Sequence, residues 1–385
     1  MAIHFQTAFM KARSSLKPLQ NPQKPRKFPT PQTHPRPAMT SFFYQTAQSL
    51  INQYPDRFPL LKITHLLDWQ AIEAKLQNKK NRSVTDNNGR PAYALLPMFR
   101  AILLGQWHSL SDPELERSLV TRLDFVLFCQ FPDETQLPDH STLNRFRNWL
   151  MKDQLLDELI DEINQQLARN QLKVEKAQTA IVDASIIQTA GSKAQKTIEI
   201  TADNQVNTTP ASKDTDAQWT IKGKRWHLGY KLHMRTDAEG FIEAAHVTAA
   251  NAADVHNLEP VLSKVPTGTK VYADKGYDSA YNRQLLAQKQ LADGIMQRAR
   301  KNQPLSRNQI ERNKQLSKIR YRVEQSFAIL HRIFKCKRAS YFGLAKVKGQ
   351  MLLKAICLNL LKAANKLRTD APIVGELRPI QPERG

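Results

Sequence analysis

Apolar residues between Phe42 and about Lys173 recur every three to four positions, the period of helices with one buried face. Two start signals punctuate this run. Ser111-Asp112-Pro113-Glu114 has the shape of a capping box with an early proline, ahead of Leu115, Leu119 and Leu123. Asp139-His140-Ser141-Thr142 stands before Leu143, Phe146, Trp149 and Leu150. From Gln178 the period shortens. Thr179 to Ile187 reads as a buried strand, followed by a polar loop from Gly191 to about Ala217. Arg225 to Arg235 and Phe241 to Thr248 read as strands around the tight connection Asp237-Ala238-Glu239-Gly240. A helix is expected near His256 to Lys264, then a strand at Val271 to Ala273 that Gly276 stops. Ser279 opens a further helix, and a short strand follows near Gly294 to Gln297. A long basic helix is expected from about Arg312 to Phe334, and the apolar stripe of Leu344 to Leu367 closes the core. This order predicts an α/β fold, a mixed sheet flanked by helices and preceded by a helical domain.

At 385 residues the chain has room for two domains. Its net charge of +22 is the unusual quantity, and it argues for a polyanionic partner, DNA or RNA before an acidic membrane. No apolar run approaches the roughly 18 residues of a membrane span. Lys354 interrupts the best candidate, Met351 to Leu361. Cys129, Cys336 and Cys357 are an odd number without metal-ligand spacing, which suits a reducing cytoplasm. The ten histidines are scattered, and His227 and His233 read as strand residues.

Residues 1–38 hold no Asp or Glu and a third of the 21 prolines, the composition of a flexible basic arm. Its other readings are an organelle transit peptide, or upstream sequence with Met39 as the working start. The chain thus divides into an arm at 1–38, a helical domain at 39–173, a sheet domain at 174–368 and a disordered tail at 369–385.

Three carboxylates stand out. Asp183 lies inside Ala180-Ile-Val-Asp-Ala-Ser-Ile-Ile187, the most apolar strand of the chain. A charge midway along a strand covered on both faces needs compensation, by a metal ion or by a structural salt bridge. Asp274, in Tyr272-Ala273-Asp274-Lys275-Gly276-Tyr277, sits at the carboxyl end of a strand, where open α/β sheets place ligands. The plainer role there is a turn aspartate that caps the next helix. Glu324 is the lone acid on a basic edge formed with Arg320, His331 and Lys335, beside an apolar stripe of Ile319, Val323, Leu330 and Phe334. An ordinary helix pair with Arg320 would have the weaker orientation. Hard divalent ions bind through a few carboxylates plus phosphate oxygens, and two such ions can activate a water or a 3′-hydroxyl. Paired carboxylates also serve glycosidases, but that reading leaves the charge unexplained.

Arg145 and Arg147 interleave with aromatics in the helix after Asp139, as in a helix that packs on one side and meets phosphates on another, or an ordinary surface helix. The helical domain leaves room for a helix-turn-helix, though no recognition helix is singled out. Asn251 and Asp254 read as caps or outer-layer residues. Trp219 reads as core before it reads as a base-stacking platform.

In order along the chain these blocks resemble bacterial insertion-sequence transposases of the DDE type, closest to the IS5 family within the IS4/IS5-like group. The resemblance spans roughly residues 40–365. Its N-terminal part rests on Gly89-Arg90-Pro91-Ala92-Tyr93, Leu110-Ser111-Asp112-Pro113-Glu114-Leu115-Glu116 and Pro138-Asp139-His140-Ser141-Thr142. Its C-terminal part rests on Val182-Asp183-Ala184-Ser185, Gly229-Tyr230-Lys231, the Asp274 block and Arg322-Val323-Glu324. The resemblance implies an RNase H-like fold in which Asp183, Asp274 and Glu324 are catalytic and bind two Mg²⁺ ions, with Mn²⁺ as a substitute. The family's helix motif, Tyr-x2-Arg-x3-Glu-x6-Lys, falls with Arg at Arg320 and Glu at Glu324; its tyrosine position is Ser317 and its lysine position His331. Arg320 carries over as a phosphate contact. His331 is a poorer phosphate partner than lysine, with Arg332 or Lys335 as substitutes.

The implied function is a DNA transposase that binds the terminal inverted repeats of its element, cleaves there with Mg²⁺ and joins the 3′-hydroxyl to target DNA. It would act as a homodimer or larger on paired ends, in the bacterial cytoplasm at the nucleoid and with no membrane partner. The alternatives are a catalytically inactive, transposase-derived DNA-binding protein and an RNase H-like nuclease that stops at hydrolysis.

Overall fold

The computed structural model describes residues 42–367, apart from 55–56, 84–92, 133–135, 175–177, 192–197, 201–205 and 209–212. The basic arm, the tail after 369 and the Gly89-Arg90-Pro91-Ala92 block lie outside the described residues.

The expected helical run is present as α1 (Phe42–Asn52), α2 (Pro59–Thr64), α3 (Trp69–Ser83), α4 (Leu95–His108), α5 (Asp112–Thr121), α6 (Leu123–Cys129), α7 (His140–Leu150) and α8 (Leu155–Arg169). Both start signals act as read. The Ser111 N–H donates to Glu114 Oε2 at 2.8 Å, and Asp139 Oδ1 accepts the Thr142 N–H at 2.7 Å. Helix α4 is buried from Leu95 to Gln106 and forms the centre around which its neighbours pack.

Then come β1 (Thr179–Gln188), β2 (Ile198–Ile200), β3 (Val206–Thr208), β4 (Gln218–Lys222), β5 (Arg225–Thr236), β6 (Ile242–Ala249) and β7 (Lys270–Ala273). Helix α9 (Ala280–Gln288), β8 (Ala292–Ile295), α10 (Arg307–Arg332) and α11 (Leu344–Lys366) complete the chain. The sheet is mixed, in the order β4-β5-β1-β7-β8 with β6 paired to β5. Strand β1 is antiparallel to β5 and parallel to β7, and β7 is parallel to β8.

Strand β1 is covered on both faces, as its continuous apolar pattern predicts. Ala180 and Val182 join a cluster with Val261, Leu285 and Ile295 on one face. Ile181 and Ile187 join the larger cluster on the other, with Val323, Leu330 and α11. That larger cluster continues without a break into α1 to α8, so the N-terminal helices and the sheet share one core. Because side chains alternate along a strand, Asp183 and Ser185 point to the same face as Ile181, the face that α10 crosses.

Three expectations are corrected. The stretch read as a polar loop contains the short β2–β3 pair, and β4 follows it as an edge strand on β5. Residues read as a helix near His256 to Lys264 form two 3₁₀ turns, Asp254–His256 and Glu259–Leu262. Pro260 lacks the N–H that would extend an α-helical ladder there. Helix α10 starts five residues earlier than Arg312, because Ser306 and Gln309 form a capping box, and it ends at Arg332.

Two glycines have physical reasons. A Cβ at Gly229 would stand 2.1 Å from the Ile187 carbonyl oxygen, so only glycine lets β5 pass β1 there. Gly240, at φ +81°, closes the β5–β6 turn, and its carbonyl accepts the Ser326 hydroxyl of α10 at 2.7 Å.

Candidate active site

The register of β1 and β7 brings the first two carboxylates together. Val182 pairs with Ala273, the last residue of β7, so Asp183 on β1 and Asp274 directly after β7 are the next residues along the two parallel strands. Both fall on the α10 face. Asp274 also caps the 3₁₀ turn Lys275–Tyr277, its Oδ1 accepting the Lys275 N–H at 2.7 Å, so the turn role and the site role coexist. Asp183 accepts the Ala184 N–H at 2.9 Å.

Arg320 joins them. Its Nη2 lies 3.2 Å from Asp183 Oδ2 and its Nη1 3.6 Å from Asp274 Oδ1. The Asp183 carboxyl is raised above the usual carboxylate range, chiefly by burial; Arg320 and the Ala184 N–H oppose this, and the charges of Asp274 and Glu324 add to it. Glu324 follows Arg320 by one turn of α10 and is exposed. Its charge is felt at Asp183, and no ion pair holds it among the described residues. As the side chains stand, no three His, Cys, Asp or Glu among the described residues converge closely enough to hold an ion, and a guanidinium occupies the space between two of the candidates.

The stripe assigned to α10 needs correction. Ile319 is 36% exposed, whereas Arg320 is 7% exposed and faces the sheet with Leu316, Val323 and Phe327. Arg320 therefore lies on the buried face and meets carboxylates there, instead of standing on the basic edge beside it. His331 turns inward as well: its Nε2 lies 3.2 Å from Ser185 Oγ, and its ring meets Phe327 edge-on. Burial, with the charges of Lys337 and Lys222, holds its imidazole below the usual value. Arg332 and Lys335 are exposed just beyond it.

Arg145 is exposed, its Nη2 donating to Thr142 Oγ1 at 3.0 Å. Arg147 is not a surface residue. It pairs with Asp112, donates to Asn144 Oδ1 at 2.8 Å, and lies over the Tyr341 ring at 4.2 Å. It is a bolt between α5, α7 and the segment before α11. Trp219 is half-buried on β4 and meets the exposed Trp226 edge-on at 6.3 Å.

Sequence reading missed the support beneath Asp274. Lys231 Nζ lies 2.9 Å from Asp254 Oδ1 and donates to the Ala252 carbonyl at 2.6 Å. Asp254 Oδ2 stands 3.5 Å from where a Cβ on Gly276 would be, so this pair backs the turn after Asp274. The buried Tyr277 hydroxyl lies 3.3 Å from His233 Nδ1, whose Nε2 is 3.1 Å from Thr248 Oγ1. The signal was Lys231 itself, a cation between the buried Tyr230 and Leu232 of β5.

Comparison with known proteins gives the family. The family model described as Transposase DDE domain matches residues 175–360, and that described as Transposase domain (DUF772) matches residues 48–149. The transposase for insertion sequence element IS1106 of Neisseria meningitidis serogroup B is 57% identical over 229 residues, 59% of this chain and 79% of that protein. Among solved structures, the piggyBac transposase synaptic complex with hairpin DNA is similar with a TM-score of 0.38 and 10% identity, over 80% of this chain and 74% of that one. No helix among the described residues is long and apolar enough to cross a membrane. The chain belongs to the DDE transposases, DNA-binding enzymes of mobile elements that depend on a divalent metal.

Proposed function

We propose that the chain is an IS5-group transposase that binds the terminal inverted repeats of its element, cleaves at its ends and joins them to target DNA. Asp183, Asp274 and Glu324 are the residues that would hold its metal. The observation that carries this reading is the adjacency of Asp183 and Asp274 on parallel strands under the helix that bears Glu324. The donors are all carboxylate oxygens, which suits a hard cation such as Mg²⁺, with Mn²⁺ as its substitute, and the guanidinium between two of them marks a point already built for positive charge. A bound divalent ion supplies activation of the attacking oxygen and neutralisation of charge at the phosphate.

The chain's own residues do the rest. Arg332 and Lys335 at the end of α10, with Arg145 on α7, offer exposed cations to the DNA backbone. Arg320 has the planar fork that matches a phosphate once it leaves the carboxylates. The Lys231–Asp254 pair backs the turn after Asp274, and the shared core fixes α10 over β1, so Asp183 and Glu324 sit on packed elements and Asp274 on a braced turn. The sheet order, with an acid on its central strand and another at the end of the next parallel strand, supports an RNase H-like reading of 174–368. Helices α1 to α8 would then serve as the DNA-binding part, and paired ends would require at least a homodimer.

The test is cleavage of DNA bearing the sequences that flank the gene, with Mg²⁺, by wild type and Glu324→Gln. Nicking at the element ends by wild type alone, with binding retained in the variant, supports the assignment. Tight end binding with no cleavage by either protein points to an inactive DNA-binding relative. Hydrolysis without joining to a second DNA points to a nuclease.

A further inference from the structure

We propose that Arg320 is a built-in counter-ion that competes with metal for Asp183 and Asp274 and is drawn off by a DNA phosphate, so that DNA and metal bind cooperatively. The inference rests on the assignment of those two aspartates to the metal site. One guanidinium spans both carboxylates, at 3.2 and 3.6 Å. A divalent ion held by the same oxygens would put a second positive charge in the same space, so occupancy by one opposes the other. Without either cation, two carboxylates on adjacent strands would face each other across the site, which explains why a cation is retained there.

The way Arg320 is held suits a residue that moves. Arg100 and Arg235, also buried, donate to backbone carbonyls: Arg100 to Phe128, Arg235 to Val261 and Ser263. Among the described residues the Arg320 guanidinium meets only the two carboxylates and, at 3.6 Å, the weakly accepting sulfur of Met296. Its buried Nε has no hydrogen-bond partner, as is also true of Arg100 and Arg235, so the difference lies in the terminal nitrogens, which reach no backbone carbonyl in Arg320. A phosphate would offer the forked acceptor that these atoms lack. Access exists, because the Asp274 side chain is 40% exposed at the mouth of the site. Linkage then requires reciprocity: if DNA frees the carboxylates for metal, metal frees Arg320 for DNA by the same factor.

The experiment is Mn²⁺ binding by the full chain, read by the paramagnetic resonance of free Mn²⁺, with and without a duplex bearing the element's terminal sequence. Without DNA, Arg320→Gln is expected to bind Mn²⁺ about tenfold more tightly than wild type, within the roughly 5–150-fold span of coupled sites. The duplex should tighten Mn²⁺ binding to wild type by a similar factor and leave the variant's affinity nearly unchanged. Thermal melting gives a second readout: without metal the variant should melt below wild type, and Mn²⁺ should raise its melting point by more. Arg320→Met, which keeps the buried stem, gives the same readings if the glutamine variant does not fold. Unchanged or weaker Mn²⁺ binding by these variants, with Asp274→Asn abolishing it in the wild-type background, overturns the proposal and leaves the metal site standing. Mn²⁺ binding that survives both Asp183→Asn and Asp274→Asn overturns the site assignment itself.

Discussion

Arg145 and Arg147 are two residues apart on one helix and separate the two uses this chain makes of arginine. Arg147 is 4% exposed, pairs with Asp112, donates to Asn144 and lies over the Tyr341 ring. Truncating one partner of a buried ion pair costs about 3–5 kcal/mol. Asp112 keeps 21% of its side chain exposed, and water can rehydrate the orphaned carboxylate, which moves the expectation for Arg147→Ala to the lower end, about 3 kcal/mol. With an unfolding entropy of about 2.1 cal/mol/K per residue over the unit Thr40–Gly385, that is a fall of about 4 °C in Tm. Arg145→Ala removes an exposed side chain bonded to Thr142 Oγ1, so its stability should stay within about 0.5 kcal/mol of wild type. If Arg145 meets a phosphate, its loss should weaken DNA binding and lower the slope of log K against log salt by about one. Thermal melting and fluorescence anisotropy over a salt series measure both quantities. An Arg147→Ala protein with wild-type Tm and a reduced salt slope would refute the reasoning, because Arg147 would then have to reach the DNA.

Two further predictions concern the layers behind the site. Burial holds the His233 imidazole down to about 4, with Asp254 opposing and the Lys231 and His246 charges assisting. Because the folded value lies below the unfolded one, the unfolded chain binds the extra proton, and this contribution to stability is complete above about 6.5 and lost as pH falls towards 4. His233→Gln, which can keep bonds to Thr248 and Tyr277, should flatten the fall of unfolding free energy with acid by up to about 1.4 kcal/mol per pH unit in that window; urea melts at pH 4.5, 5.5 and 7 check it. At Gly240 an alanine Cβ would stand 2.7 Å from Ser326 Oγ in a backbone conformation at φ +81°. Gly240→Ala should cost about 2 kcal/mol and lower cleavage too, because Ser326 lies on α10 two residues past Glu324; a urea midpoint equal to wild type would contradict this.

What was legible in the sequence was what local chemistry determines. Asp183 announced itself as a charge inside an apolar strand, and the observed register then set it beside Asp274. The caps at Ser111, Asp139 and Ser279 are formed by neighbours in sequence, so their side chains stand where the pattern put them. The failures arise where a distant contact overrules a local preference. Periodicity placed Ile319 on the buried stripe and Arg320 on the edge beside it, because it scores an apolar side chain as buried and a cation as exposed. Two carboxylates on β1 and β7 reverse that order, and no reading of α10 alone contains them. The same cause hides the Lys231–Asp254 pair and the turn of His331 towards Ser185. Strand β4 was illegible for a related reason: an edge strand of five residues, exposed at both ends, takes its structure from pairing with β5 and not from an apolar pattern.

The net charge of +22 argued for a polyanionic partner, but the fold uses much of its arginine internally. Arg338 donates to the carbonyls of Thr189, Ala190 and Gly191 and so ties the end of β1 to the segment after α10. Arg312 donates to the Ile295 and Asp293 carbonyls and fastens α10 to β8. Arg235 ties β5 to the 3₁₀ segment, and Arg147 ties α7 to Tyr341. Each of these answers backbone oxygens, carboxylates or rings that would otherwise be stranded, a task for which a planar five-donor group is better suited than an ammonium. The exposed positive surface among the described residues is therefore smaller than composition implies and more localised. It includes Arg322, Arg332 and Lys335 along and after α10, with Lys222, Lys224 and Arg225 at the β4–β5 turn close enough for the Lys222 charge to act on His331. A basic edge beside a carboxylate site suits the proposed phosphodiester chemistry, in which the cations would hold the backbone and leave the acids free of it.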